Sequence, residues 1–459
     1  VTVHSKARAL APAILTTLVC IGIAALSANA IAQRDVGRQV LPAGDGFGSL
    51  GAGVTGGAAT DSLVFVVRNR TELFNALAAG QANAPRIIYV DGVIDTNVDD
   101  NHRPLTCRDY YRGGYTLEAF LAFYNPAGAW GPNPPANTAG SLEEARRTSA
   151  AVQSARVRLR VPDNTTIVGT DSRATIRGGW FDLRGAATAR RQNIIIRHIT
   201  FEDTFDCFPA WTPTRNADGS WAGTGSWDAE YDAISLRDTE RVWIDHNEFR
   251  DRETVDSTLP TYFGAKYQIH DGLLDITNAS DRVTVSWNRF LNHDKTMLIG
   301  SSDDAPADVG RLRVTLHHNH FDNVGQRAPR VRYGQLHVYN NYYVIPDGNA
   351  HSYSWGVGVQ PLPLASGIFA ENNFFRTERS VTPDQFIAMF TGGRAIVATG
   401  TMQTAVADDV DVNPRAAYNA VRDPDLQGDV GWEPRLYLEF DPTHRVPAIV
   451  AMHAGPYKW

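Results

Sequence analysis

VTLHHNHF, residues 314–321, is one copy of an eight-residue pattern that the chain writes six times. The others are IIIRHITF (194–201), VWIDHNEF (242–249), VTVSWNRF (283–290), LHVYNNYY (336–343) and IFAENNFF (368–375). Each begins with an aliphatic residue and ends with an aromatic one. The third place is aliphatic in five copies and Ala370 in the last. The sixth is Asn in five, namely Asn247, Asn288, Asn319, Asn341 and Asn373, and Ile199 in the first. An apolar-x-apolar start reads as a short strand. Asn tolerates left-handed geometry and bonds its own backbone, so it reads as the turn that follows.

The Asn spacings are 41, 31, 22 and 32. A fixed helical repeat would not vary so much. A coil of about 22 residues per turn, with loops inserted into some turns, would. Stacking such turns predicts an Asn ladder and a continuous aromatic stack inside a parallel β-helix, an all-β solenoid. A β-propeller would need about four strands per repeat of roughly 40 residues, and the 22-residue turn is too short for that.

The flanks read as caps and covers. TELFNALAA, Thr71 to Ala79, predicts an amphipathic capping helix with Thr71 as N-cap and Phe74 and Leu77 on one face. IIYVDGVI (87–94) predicts an early strand and turn. Residues 96–160 lack the repeat and are rich in Tyr, Pro and Gly, which marks a long insertion. Residues 376–459 lack the Asn repeat and are expected to fold back over the end and side of the solenoid. Nothing reads as a linker, so residues 33–459 are expected to form one domain.

Residues 1–32 read as a secretory signal peptide. Lys6 and Arg8 precede a mostly apolar run from Ala9 to Leu26, and Ala28-Asn29-Ala30 and Ala30-Ile31-Ala32 offer cleavage sites. Thr16, Thr17 and Ser27 weaken the rival reading, a membrane anchor. Val19 before Cys20 argues against lipidation. Secretion, with no membrane association after cleavage, is the expectation. Cleavage would leave Cys107 and Cys207, which an oxidising compartment allows to pair. The oligomeric state is unreadable, and a monomer is the default.

The chain carries a formal net charge of −7, which argues against general nucleic-acid binding. Any anion site must therefore be a local basic patch. QRAPRVR (326–332) is one, with Arg327, Arg330 and Arg332 around Pro329. Guanidinium groups on a stiff segment suit carboxylates, which they bind as a fork. Glu230 and Asp232 in EYDAISL share a face if that stretch is a strand, DGLLD gives Asp271 and Asp275, and NHDK gives Lys295. Carboxylates gathered by a solenoid suit a hard cation such as Ca²⁺. On a straight strand Asp271 and Asp275 would lie about 13 Å apart, so Gly272 must bend the chain if both are ligands. The bland alternative is that these Asp residues are turn formers. His246, His293, His317, His318 and His337 read as structural hydrogen-bonding residues, with His317 and His318 on opposite strand faces. Trp243 and Trp287 suit either outer-face packing or sugar stacking.

The runs YDAISLRDTERVWIDHNEF, DGLLDITNASDRVTVSWNRFLNHDKTMLIGSSD and RVTLHHNHFDNVGQRAPRVRYGQLHVYNNYY closely resemble the pectate lyases of polysaccharide lyase family 1. GAGVTGG (51–57), VPDNTTIVG (161–169), GWEPRLYLEFDP and VPAIVAMHAGP extend the likeness to roughly residues 45–459. The resemblance implies a right-handed, single-stranded parallel β-helix that cleaves polygalacturonate by Ca²⁺-dependent β-elimination. It matches Asp232, Asp271 and Asp275 to calcium ligands, with Glu230 a further candidate. It matches Arg327 to the base, and Lys295 and Arg332 to the groups that hold substrate carboxylates. Arg330 receives no role beyond a structural one. The acidic cluster favours pectate over methylated pectin, the substrate of the related pectin lyases. A guanidinium base, ordinarily charged below pH 12 or so, implies best activity at alkaline pH. Two rivals stay open: a polygalacturonase using Asp271 and Asp275 as acid and base, and a non-catalytic glycan-binding β-helix.

Overall fold

The computed structural model describes residues 1–2, 35–125, 140–377, 380–405, 408–438 and 440–458. The expected signal peptide and Cys20 lie outside these residues. Among the described residues no helix is long and apolar enough to cross a membrane.

Three long sheets form the wall of a parallel β-helix. The first has ten strands, from Leu63–Val67 to Ile396–Thr399. The second has ten, from Val93–Asp95 to Asp408–Val412, with only the last pair antiparallel. The third has eight, from Arg158–Arg160 to Ile387–Met389. Each turn visits the sheets in that order. One runs through Thr239–Asp245, Glu248–Arg250 and Leu274–Thr277, and the next through Asp281–Ser286, Arg289–Lys295 and Leu298–Ile299.

The corner from first to second sheet is where the sequence pattern acts. Only His246 and Asn247 separate Thr239–Asp245 from Glu248–Arg250, and the other repeats use the same two places. The fifth place holds the left-handed residue: φ is 51° at His246, 56° at Trp287, 53° at His318, 51° at Asn340 and 48° at Asn372. This corrects the expectation that Asn itself takes that conformation. The Asn acts through its side chain, and mainly on the preceding turn. Asn288 Oδ1 accepts from the Asn247 backbone N–H at 2.9 Å and from its Nδ2 at 3.0 Å. The same pair of bonds links Asn288 to Asn319, Asn319 to Asn341 and Asn341 to Asn373. All five Asn residues are buried, so these bonds satisfy groups that water cannot reach.

The eighth place supplies the aromatic stack. Phe201, Phe249, Phe290, Phe321, Tyr343 and Phe375 follow one another with ring centroids 4.4–5.0 Å apart and planes within 10° of parallel. Parallel sheets place equivalent residues directly above one another, so a repeat in sequence becomes a column in space.

The amino-terminal helix spans Arg70–Ala78, and its N-cap is Asn69, whose side chain accepts from Glu72 N–H at 3.0 Å. Thr71 therefore lies inside the helix rather than capping it. Leu73, Ala76 and Leu77 are buried against the solenoid interior, whereas Phe74 is exposed. At the other end the strands Ile387–Met389, Ile396–Thr399 and Thr401–Ala405 add a further turn inside the region expected to be cover. Its corner is a single Gly400 at φ 60°, which is why no x-Asn pair betrayed it. The cover comes after it. Tyr418 of helix Pro414–Val421 reaches the main core, and Val446 and Val450 of helix Val446–His453 pack on Tyr342 and Phe374 of the second sheet.

Trp243 is buried beside Leu41 and Val54 under the Arg197 guanidinium, and Trp287 stacks on His318 at 4.2 Å. Both belong to outer-face packing. His317 and His318 do not diverge, because His318 has left the strand for the corner; their Nδ1 atoms are 2.9 Å apart.

Candidate active site

The long loops enter between the second and third sheets. One runs from Val93–Asp95 to Arg158–Arg160, so Arg158–Arg160 is a solenoid strand rather than part of the insertion. A second joins Thr200–Glu202 to Ile234–Arg237, and a third joins Glu248–Arg250 to Leu274–Thr277. Together they build a satellite core, in which Tyr115, Phe120 and Tyr124 of the first loop meet Trp211 and Trp227 of the second and Tyr267 of the third. Cys107 and Cys207 form a disulfide between the first two, as anticipated. The next turns cross the same corner tightly: only Thr296 and Met297 lie between Arg289–Lys295 and Leu298–Ile299. The loops thus stand as a wall beside a floor of short turns.

The candidate residues gather at this corner. Ser235 pairs in register with Asp275, Lys295 with Gln326, and Leu298 with Arg330, so consecutive turns stack the acids beside the bases. Asp232 and Asp275 are buried and Asp271 partly so. The strand begins only at Leu274, so the straight-strand separation of Asp271 and Asp275 does not apply, and Gly272 gives space to Asp232 and Asp275. Its N–H donates to Asp232 Oδ1 at 2.9 Å, and a Cβ there would lie 2.3 Å from Asp275 Oδ1 and 3.0 Å from Asp232 Oδ1. The carboxylates of Asp232 and Asp275 close over the bare Cα. Ser235 Oγ donates to Asp232 Oδ2, and Leu298 N–H donates to Asp275 Oδ1 at 2.9 Å.

Burial, with the neighbouring Asp271 charge, pushes the Asp275 carboxyl up to about 7. Burial, then Asp275 and Asp271, push Asp232 well above the ordinary carboxylate range. Carboxylates that hinder one another's ionisation are a donor set matched to a hard cation with oxygen ligands. Glu230 stands apart. The strand begins only at Ile234, so the alternation expected for EYDAISL does not extend back to it. Glu230 is exposed, and its charge acts on buried Asp206.

Lys295 Nζ lies 3.8 Å from Asp271 Oδ1. Arg327 sits at the corner with φ 58°, a left-handed conformation that a non-glycine residue adopts at a cost. Its positive charge draws the Asp275 carboxyl downward against burial. Arg330 is spent on structure, with its guanidinium carbon 3.7 Å from the centre of the Phe390 ring. Arg332 donates through Nη1 to the Gly300 carbonyl at 2.9 Å and through Nε to Asp303. Tyr353 faces both Arg327 and Arg330, a contact that sequence reading did not find. A polar cavity of ≈ 710 Å³ adjoins the corner, lined in part by Lys266, Asn292, His293, Gln326 and Asn349.

Beneath Asp271 lie Asp251, Asp256, His270 and His293, all buried. His293 Nδ1 is 2.7 Å from Asp251 Oδ2, and its Nε2 is 2.7 Å from the Asp271 carbonyl oxygen. His270 Nδ1 is 2.9 Å from Asp256 Oδ1. Among the described residues this is the only group of three or more His, Cys, Asp or Glu side chains whose ligand atoms all lie within 4.8 Å of one another.

A parallel β-helix with a walled lateral cleft, carboxylates on its floor and guanidinium groups beside them, has the charge pattern suited to an enzyme cleft for a negatively charged chain molecule. A pectate lyase family model matches residues 136–407. The chain is 40% identical over 448 residues to a pectate lyase from Bacillus subtilis strain 168, covering 97% of this chain and 98% of that protein. It is 33% identical over 372 residues to pectate lyase E from Dickeya dadantii, covering 80% of this chain and 74% of that protein. A solved pectate lyase bound to a hexasaccharide superposes with a TM-score of 0.82 at 40% identity, covering 92% of this chain and 99% of that one. The chain belongs to the pectate lyase family, and its enzymatic class is that of a pectate lyase.

Proposed function

We propose that this enzyme is exported and cleaves α-1,4-linked polygalacturonate by calcium-dependent β-elimination, leaving 4,5-unsaturated galacturonate ends. The observation that carries the reading is the buried pair Asp232 and Asp275 closed over Gly272, with partly buried Asp271 adding its charge to theirs and the Arg327 charge acting on Asp275. The donor set fits Ca²⁺, and these three residues would hold it. Bound there, the ion would neutralise a substrate carboxylate and stabilise the charge that builds on it when the neighbouring carbon loses its proton.

The chain's own groups do the rest. Lys295 extends from the end of its strand to hold a substrate carboxylate. Arg332 is the second holder; a substrate carboxylate there exchanges with, or shares the guanidinium with, Asp303. Arg327, in its neutral form, takes the proton from C5; the C4–C5 double bond forms as the C4–O bond breaks, and the leaving oxygen takes a proton from water. Placement of fixed positive charge where negative charge develops is the main catalytic device. The disulfide fits an oxidising compartment outside the cytoplasm.

The test is the ultraviolet absorbance of polygalacturonate incubated with the mature protein, first with calcium and then with excess chelator. The expected result is a rise from the unsaturated product that chelator abolishes. New reducing ends without that absorbance would mean hydrolysis and would overturn the proposal. The Arg327→Lys variant should keep polygalacturonate binding while turnover falls about 10²–10⁴-fold, the usual contribution of a positioned base.

A further inference from the structure

His293 occupies a position that neither a packing residue nor a substrate ligand requires. It shares the strand Arg289–Lys295 with Lys295, and at a spacing of two residues both side chains leave the strand on one side. Lys295 reaches the side chain of Asp271, while His293 Nε2 meets the backbone carbonyl of that same residue. A carbonyl oxygen only accepts, so Nε2 carries the proton and donates it. On the other side of the ring Asp251 Oδ2 fixes the imidazole at 2.7 Å. His270, directly before Asp271 in the chain, is tied through Nδ1 to Asp256. The segment that delivers Asp271 is thus held at two consecutive residues, His270 by Asp256 of its own loop and Asp271 by His293 of a solenoid strand.

Contacts of 2.7 and 2.9 Å between ring nitrogen and carboxylate are hydrogen-bond lengths. Ligands around a tetrahedral metal with bonds near 2.0–2.1 Å stand roughly 3.3 Å apart. Each histidine is therefore joined to its carboxylate by a proton, and His270 Nδ1 lies 3.3 Å from Asp251 Oδ2 between the two pairs.

We infer that His293 is a positioning residue for calcium: it donates from Nε2 to the Asp271 carbonyl and so holds that carboxylate at the ion site before the ion arrives. The inference rests on the calcium reading given above. Groups of this kind, which orient a ligand without touching the ion, change metal affinity by about 10–100-fold when removed.

Two substitutions separate this role from bulk packing. The amide nitrogen of Gln falls near the His Nε2 position, and that of Asn near Nδ1. His293→Gln therefore keeps the donor to Asp271, while His293→Asn keeps only the donor to Asp251. Calcium affinity, measured calorimetrically on the substrate-free protein, should weaken about 10-fold or more in the asparagine variant. It should stay within about threefold in the glutamine variant, since that donor survives. Equal affinity in all three proteins, or equal loss in both variants, would overturn the inference. If the asparagine variant does not fold, hydrogen exchange on the unsubstituted protein decides. Residues 268–274 should be protected without calcium nearly as well as with it; free exchange that calcium suppresses would refute prior positioning. One equivalent of a transition metal in the purified protein would turn the four groups into ligands and refute it equally. No calcium binding by the unsubstituted protein would instead defeat the functional reading itself, and this inference with it.

Discussion

Asp275 ties the proposed chemistry to stability. Its carboxyl is held near 7 by burial and by Asp271, against an ordinary value of 3.8. A carboxyl raised in the folded state favours the fold while it is protonated. That contribution is present in full below about pH 4 and is lost as pH rises through about 7. The ion-free protein is therefore expected to lose stability over that window, and calcium to restore it. Thermal unfolding with and without calcium should show a small difference at pH 5 and several degrees at pH 8. A difference that does not change with pH would break the link between Asp275 and the ion. The acids, Lys295 and Arg327 stood out in the sequence as a dense run of charged residues between the repeats, and their roles came from the family resemblance alone. Gly272 was legible as a necessity but not in its mechanism: its place between two carboxylates is a contact across turns. Asp251 and Asp256 gave no signal, since His293 reaches Asp251 from the next turn and His270 meets Asp256 only when their shared loop folds back.

At the scale of the turn, the Asn ladder is the element most completely written in the sequence. Asn319 accepts from Asn288 N and Nδ2, and donates to the Val285 carbonyl and to Asn341 Oδ1. Asn319→Ala would remove the partner of the buried Asn288 N–H and of the Val285 carbonyl, at about 1–3 kcal/mol each, while Asn288 Nδ2 and Asn341 Oδ1 keep other bonds. A loss of roughly 2 kcal/mol or more is expected in chemical denaturation, the sum of those two groups. A loss below 1 kcal/mol or so would mean that water takes over the bonds. The final turn escaped the sequence because Gly400 makes its corner in one residue, and a glycine has no side chain to repeat. The helix cap was misplaced by two residues for a related reason: Asn69 and Thr71 are both capping types, and local sequence does not rank them.

For the whole molecule, the wall beside the cleft is the part least legible in the sequence. Its aromatic residues meet across three loops far apart in the chain, and no periodicity connects them. The two cysteines were the only marker of that union, 100 residues apart. Closing a loop of that size restricts the unfolded chain by roughly 4–5 kcal/mol in the chain-entropy model. Reduction should therefore lower the unfolding temperature. Because the bond joins wall to wall and leaves the floor untouched, KM for polygalacturonate should rise more than kcat falls. Equal loss of both would mean that the wall supports the floor directly.

The two-residue corner between the first and second sheets has one more consequence. That edge is bound like the spine of a book, since an added residue there would throw every Asn above and below it out of line. Between the second and third sheets there is no such binding, and sequence can be inserted without shifting the register of any turn. New specificities among proteins of this architecture should therefore arise by lengthening one edge, with the other conserved in length as well as in residue type.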